Sequence, residues 1–510
     1  MNNRYPLLCF ALLTVATIAA QPGTLDPSFG TNGKAIANVP GTYCSGQAIA
    51  EQADGKLLVC GQTPGSTLLV RFNADGSLDG TFGSNGLVLT DVDVSNDYIG
   101  SIAVQPDGKI VVGGNKFDAL ANADVIVMRY LPDGTLDASF SGDGIADFSI
   151  GTWATYATGL VVQPDGRIVI CGDRYVGPGW ESFLTRFNTN GSWDSGFGTV
   201  QLDMAATSSD NLHDIALQPD GKILVCGTSL DASDNHVAIA RYNADGTIDT
   251  GFGTGGKLML SPGGSGDDRA NSLRVQPDGR ILVTGISGDG NDFGIGVLRL
   301  MPDGTNDASF GTGGFALIPF GADDWTQPSL ALQSDGRIVI GADNTSASTP
   351  DVKVIRLNAD GTLDSGFGTN GIGTSNATSG NNAESAVRTL FLQDGGIVVA
   401  GYAEASNPSL QLAVWKFLSG VNVGLAEQAR RPDQLALAPN PAQDRLVIRG
   451  AHIQRGGSIA VHDQSGRQLT VPTVINTDHA LVDVSALAPG SYTITVRYED
   501  SIMTQRFIKE

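Results

Sequence analysis

The sequence predicts an all-β protein: a seven-bladed β-propeller followed by a small immunoglobulin-like β-sandwich. Three observations carry this. A hairpin motif recurs seven times, as QADGKLLVCG, QPDGKIVVGG, QPDGRIVICG, QPDGKILVCG, QPDGRILVTG, QSDGRIVIGA and QDGGIVVAG, with glycines at 55, 108, 166, 221, 279, 336 and 395. Steps of 53 to 59 residues fit one supersecondary unit per repeat, the signature of a solenoid or propeller. The ends of the repeated region also complement each other. The last unit stops at VWKFLSG, and the piece it lacks stands near the start as PGTLDPSFGTNGKAI. A closed ring needs one blade finished from both chain ends. An open array would need polar capping repeats, and none is visible.

Each unit parses into four short strands. In the second, Gly86–Thr90 is expected to open the blade, Ser101–Gln105 and Lys109–Gly113 to form a hairpin, and Val125–Tyr130 to complete it. Asp-Gly between apolar runs suggests a two-residue type I′ turn, which needs positive φ at both central residues. With that register Cys60 would face Ile49.

A second motif follows the fourth strand: RFNADGSLDGTFG, RYLPDGTLDASFS, RFNTNGSWDSGFG, RYNADGTIDTGFG, RLMPDGTNDASFG and RLNADGTLDSGFG. Its aspartates are Asp26, Asp79, Asp137, Asp194, Asp249, Asp307 and Asp364. Each precedes a phenylalanine by three positions, from Phe29 through Phe367. The matching cations are Arg71, Arg129, Arg186, Arg241, Arg299, Arg356 and, in the last unit, Lys416. Calcium loops are one reading of the aspartates, but such loops gather more oxygen ligands than one carboxylate. The favoured reading is an ion pair or turn cap docking one blade to the next, with the phenylalanines as wedges. It makes Lys416 meet Asp26 across the closure.

These units resemble the delta-60 repeat family of secreted bacterial proteins, over roughly Gln21 to Gly420. Departures are local: Asp394-Gly395-Gly396 replaces DGK, Ser141 replaces a glycine, and Lys416 replaces an arginine. The resemblance implies a propeller and carries no established activity.

Export is expected from the start of the chain. Arg4, an apolar run from Pro6 to Ile18, and Ala19-Ala20 read as a signal peptide over residues 1–20. The run is shorter than the roughly 18 residues of a spanning helix, so no transmembrane segment is expected in the mature chain. Lys and Arg number 31 against 53 Asp and Glu, a net charge of -22, and the excess acid lies in the repeats. Such a surface argues against nucleic-acid binding, which needs a basic patch. Cys60, Cys171 and Cys226 share one repeat position in three different blades, which fits packing rather than a disulfide framework.

After Gly420 the period stops, and residues 421–434 read as a polar linker. Residues 435–510 contain LALAPNPAQDRLVI, SIAVHDQSGRQL, ALVDVSALAPGSYTITVRY and TQRFIKE. Alternating strands and Asn, Gly and Pro turns indicate a β-sandwich. The segment is similar to the type A C-terminal sorting domain of the type IX secretion pathway, at Pro439, Asn440, Pro441, Leu446, Gly466, Leu487, Gly490, Tyr492 and Lys509. That resemblance implies the type IX machinery as partner, and the cell surface or the medium as destination.

No catalytic residue is assigned. The histidines lack metal-ligand spacing, and neither a cofactor nor a metal is required, calcium being the one candidate. The irregular loop face, with Tyr98, Trp153, Tyr156, Trp180, Asp323, Asp324 and Trp325, is the expected binding surface, since recognition is commonly carried by loops on a rigid scaffold. The expected function is a noncatalytic scaffold for an extracellular glycan or protein. The rival is a glycan hydrolase using two carboxylates, for which Asp267-Asp268 and Asp323-Asp324 are candidates.

Overall fold

Runs of Val, Ile and Leu between Asp-Gly turns dictate short strands buried on both faces, such as Ile110–Phe117 and Ile223–Leu230. The computed structural model describes residues 21–421 apart from 40–42, 93–96, 118–121, 150–153, 178, 205–208, 232–233, 265, 289–292, 323–325, 344–350, 376–383 and 405–409. Of the tail it describes 436–438, 445–449, 458–462, 467–475, 479–488, 490–498 and 501–509. The expected signal peptide and nearly all of the linker lie outside the described residues. The chain divides into two compact units, one ending at Val421 and the other beginning at Asn422.

Among the described residues the first unit holds seven four-stranded antiparallel sheets. The sheet of the second repeat comprises Tyr98–Val104, Ile110–Phe117, Ala123–Tyr130 and Ile145–Phe148. This frame begins one strand later than the sequence reading placed it. Leu87–Thr90 instead pairs with Ser66–Phe72 of the preceding sheet. The intervening turn explains the shift: Asp79 N donates to Arg71 O, and Arg71 N to Gly86 O, so the connection folds back on the strand it leaves.

The hairpin turns also differ from the expected type. Gly55 has φ +81° while Asp54 does not enter the left-handed region, and Glu51 faces Leu57. This is a three-residue loop, a type I turn closed by a left-handed glycine. Gly55 N donates to Gln52 O, and Asp54 Oδ1 accepts from Lys56 N. The longer loop shifts the register, so Cys60 faces Ala48 rather than Ile49. Cys44, Cys60, Cys171 and Cys226 are buried free thiols.

Closure is visible in the last sheet. Lys34–Ala37, from the start of the chain, pairs with Leu410–Phe417, from the end of the repeats. The first strands of the seven sheets pack each on the next, and the first of these contacts the seventh. Every core cluster of this unit is shared by two neighbouring sheets. One of them joins Ile49, Val59 and Val70 of the first sheet to Val398, Leu412 and Val414 of the last.

A repeated joint binds the sheets together. Arg71 Nε donates to Asp79 Oδ2 at 2.8 Å, its guanidinium lies 4.3 Å from the Phe82 ring centroid, and Nη1 donates to Pro132 O of the next unit at 2.5 Å. The same set recurs at Arg129, Asp137, Phe140 and Thr189 O, and at Arg186, Asp194, Phe197 and Ala244 O. Arg241 with Asp249, Arg299 with Asp307 and Arg356 with Asp364 repeat it, reaching Pro302 O, Ala359 O and Ser419 O. The carboxylate pair is thus internal to a unit, and the arginine's second donor makes the link. Burial would raise the carboxylates' pKa. Thr81, Lys56 and Arg71 outweigh it at Asp79, and Asp307 is lowered to about 2 by Ser309 and Arg299 despite burial.

At the closure Lys416 lies 3.8 Å from Asp26 Oδ2 and 2.7 Å from Asp394 Oδ2, so Asp394 is its principal partner. Gly396 makes this approach possible: a Cβ there would lie 2.5 Å from Lys416 Cε.

Among its described residues the tail unit holds two four-stranded sheets. Leu446, Ile448, Ala480 and Val482 of one meet Val461, Ile494 and Val496 of the other in a single core. Leu446 is fully buried in it, and Leu487 and Tyr492 pack on its edge. Tyr492 Oη donates to Ala488 O, Gly490 opens the strand Gly490–Tyr498, and Lys509 is buried in the final strand. Pro439, Asn440, Pro441 and Gly466 lie outside the described residues.

Candidate functional site at the propeller axis

Six of the seven first strands carry a β-bulge, at Gln47, Gly100, Thr158, His213, Asn271 and Val387. Pro328 stands at the matching place just before the strand Ser329–Leu332. Each of the seven residues lies eight positions before its hairpin glycine. A bulge leaves one residue unpaired and re-aims its side chain. Here all seven line one cavity of about 810 Å³. The cavity therefore sits on the ring axis, where the first strands of all seven sheets converge.

Around this ring stand Gln62, Tyr98, Asn115, Phe117, Tyr156 and Arg388. Gly100 leaves room for Tyr98, whose hydroxyl lies 2.7 Å from where a Cβ at Gly100 would sit. Burial pushes the Tyr98 phenol up to about 12, so it stays protonated. Asn115 is committed to bridging sheets, its amide donating to Thr155 O at 2.6 Å and its carbonyl accepting from Ala157 N. Asn271 Oδ1 is buried and meets no hydrogen-bond donor among the described residues.

His213 Nδ1 lies 2.7 Å from Ala270 O. A carbonyl only accepts, so Nδ1 carries the proton and a neutral ring presents Nε2 as an acceptor. Burial lowers the imidazole pKa, with Arg269 adding to the shift against the opposing Ala270 hydrogen bond, so the ring is neutral at pH 7.

Below the bulges a buried charge cluster crosses the axis. Asp214, on the fourth sheet, accepts at Oδ2 from Ser272 Oγ, Leu273 N and Arg274 Nη1 at 2.9 to 3.0 Å. Arg388 Nη1, on the seventh sheet, lies 3.5 Å from the same oxygen. Burial would raise the carboxyl's pKa, but the two arginines and these hydrogen bonds hold it below the usual range.

Of the expected loop-face residues, Tyr98 and Tyr156 line the cavity. Trp180 does not, but its ring lies 5.7 Å from Tyr156, and Tyr175 lies 5.4 Å from Trp180. With Phe117 6.1 Å from Tyr156, these four rings run from the cavity outward. Trp153, Asp323, Asp324 and Trp325 lie outside the described residues. Asp267 and Asp268 are not at the axis: Asp267 pairs with Arg269 and accepts from Asn235, and Asp268 accepts from Ser287. The sequence reading placed His213 on the irregular face but assigned no role to Arg388 or to the remaining bulge residues, although the fixed distance of the bulges from the hairpin glycine was there to be seen. Among the described residues no group of three His, Cys, Asp or Glu side chains is placed to hold a metal ion.

The family model of a domain of unknown function, the DUF5122 β-propeller, matches residues 52–82, 105–140, 163–197, 218–252, 276–310 and 333–367. A secretion system C-terminal sorting domain matches residues 436–510. The chain carries DUF5122 β-propeller repeats and a secretion sorting tail. The sorting tail marks this DUF5122 propeller for export to the cell surface or secretion. No curated protein matches the chain. Among solved structures it is similar to Drosophila semaphorin 2a, at 9% identity and a TM-score of 0.42 over 96% of this chain and 99% of that one. It is also similar to polysaccharide lyase Uly1, at 11% identity and 0.45 over 80% and 94%, and to a PL25 ulvanlyase, at 9% and 0.43 over 77% and 94%. No helix among the described residues is long and apolar enough to cross a membrane.

Proposed function

We propose that this exported propeller binds an extracellular glycan in its axial cavity and does not transform it. The observation that carries this is the cavity's lining. Aromatic faces at Tyr98, Phe117 and Tyr156 stand beside amides at Gln47, Gln62 and Asn271, and Trp180 and Tyr175 continue the aromatic run outward. Aromatic rings pack on the C–H faces of sugars while amides exchange hydrogen bonds with hydroxyls, the mixture expected of a site for a polar ligand with apolar faces. The buried, unpartnered Asn271 Oδ1 is an acceptor that a sugar hydroxyl would satisfy.

Glycoside hydrolysis generally needs two carboxyl groups flanking the scissile bond. No Asp or Glu is among the described lining residues, which favours binding over hydrolysis. The test is a glycan array probed with the chain and with Tyr156→Ala. Binding of a defined oligosaccharide class, weakened tenfold or more by the substitution and without product release, is expected. Binding that is indifferent to Tyr156 overturns the reading.

A further inference from the structure

We infer that the axial cavity selects an acidic glycan, recognising a uronate carboxylate through Arg388. The inference rests on the glycan reading above and adds the charge of the ligand.

The charges gathered around Asp214 do not balance. Asp214 is one carboxylate held between two guanidiniums, Arg274 at 3.0 Å and Arg388 at 3.5 Å. Arg274 is the closer partner and shares Asp214 Oδ2 with Ser272 and Leu273. One positive charge is therefore left over. It falls on Arg388, because Arg388 lines the cavity and Arg274 does not. Its single contact with Asp214 leaves most of its five donors unused, and no other carboxylate is paired with it among the described residues.

Among the described lining residues of the cavity nothing else offsets that charge. They include no Asp or Glu, Tyr98 stays protonated, and His213 is neutral. The whole chain carries -22, so a cationic cavity runs against the rest of the surface. A largely buried guanidinium without a full counter-charge is costly, and a ligand carboxylate repays it. The planar fork of arginine matches a carboxylate with two parallel hydrogen bonds. A sugar ring on Tyr156 or Phe117 with its carboxylate on Arg388 uses both halves of the lining.

The test is calorimetric titration of the full chain with trisaccharides of galacturonate, glucuronate, mannuronate and guluronate, each beside its carboxyl-reduced counterpart, and with inorganic phosphate alone. At least one uronate should bind ten times or more tighter than its reduced form. That difference should shrink with added salt, vanish in Arg388→Gln, and largely survive in Arg388→Lys, which keeps the charge if the glutamine variant fails to fold. If reduced and acidic forms bind alike and Arg388→Gln changes neither, the charge inference fails while the glycan reading stands. If none of these sugars binds, both fail. If phosphate alone binds as tightly as the best uronate, Arg388 holds a free anion and the acidic-glycan inference is overturned.

Discussion

Arg388 and Asp214 come from the seventh and fourth sheets and meet across the ring axis, Nη1 to Oδ2 at 3.5 Å. Their Cα positions are 174 residues apart in sequence, yet both directly follow a bulge residue, Val387 and His213. The bulges aim Val387 and His213 into the cavity, and the residues that follow them pair with each other, Arg388 lining the cavity as well. Asp214→Asn would leave two guanidiniums facing each other without their carboxylate. Loss of one partner of a buried ion pair costs about 3–5 kcal/mol. Urea unfolding should show a lowered midpoint of that order, and an unchanged midpoint would remove Asp214 as the keystone of the axis.

The inter-sheet joint makes a comparative prediction. Asp137 is buried beside Arg129 at 2.8 Å and Lys109 at 3.1 Å, so Asp137→Asn strands two cations and should cost about 3 kcal/mol or more. Asp26→Asn should cost distinctly less, because Lys416 keeps Asp394 at 2.7 Å. Denaturant unfolding of the two variants checks the order, and equal losses would mean that the closure is built like the other joints.

Asp173 supplies a pH dependence. It is buried, accepts from Leu212 N and Ser182 Oγ at 2.8 Å, and burial raises its carboxyl to about 7. The unfolded value is about 3.9. The folded state therefore holds the proton more tightly, and the stability this provides is full below pH ~3.9 and lost as pH rises through about 7. Asp173→Asn keeps an acceptor without the charge. Relative to the variant, the wild type should lose stability steadily between pH 4 and pH 7.5; parallel curves would contradict the raised carboxyl.

The tail makes the prediction about destination. Removing residues 436–510, which match the sorting domain, should leave the folded propeller in the periplasm. Cell fractionation with an antibody to the repeats measures this. Undiminished surface delivery would separate export from the tail.

Repetition made the fold legible. Hairpin glycines from Gly55 to Gly395 and the split last unit were enough for seven sheets and the closing strand Lys34–Ala37. The frame slipped by one strand because a period has no natural origin, and the backbone bonds of Asp79 and Arg71 that fix it are not written in residue type. The turn type slipped because Asp-Gly suits both a two-residue turn and a three-residue loop; the register, set by packing on both faces, selects the latter. At the axis, Tyr98 and Tyr156 stood out as aromatics on the irregular face. Arg388 and Asn271 did not, because a bulge hides in an apolar strand and the junction of distant units follows from ring closure alone.

Axial glycan binding is tested most directly by a crystal structure of the propeller with an oligosaccharide bound. Sugar density is expected inside the ring of Gln47, Gly100, Thr158, His213, Asn271, Pro328 and Val387, with a sugar ring packed on Tyr156 or Phe117. Density only on the hairpin face or the outer strands, with the axial cavity empty at saturating ligand, would contradict it.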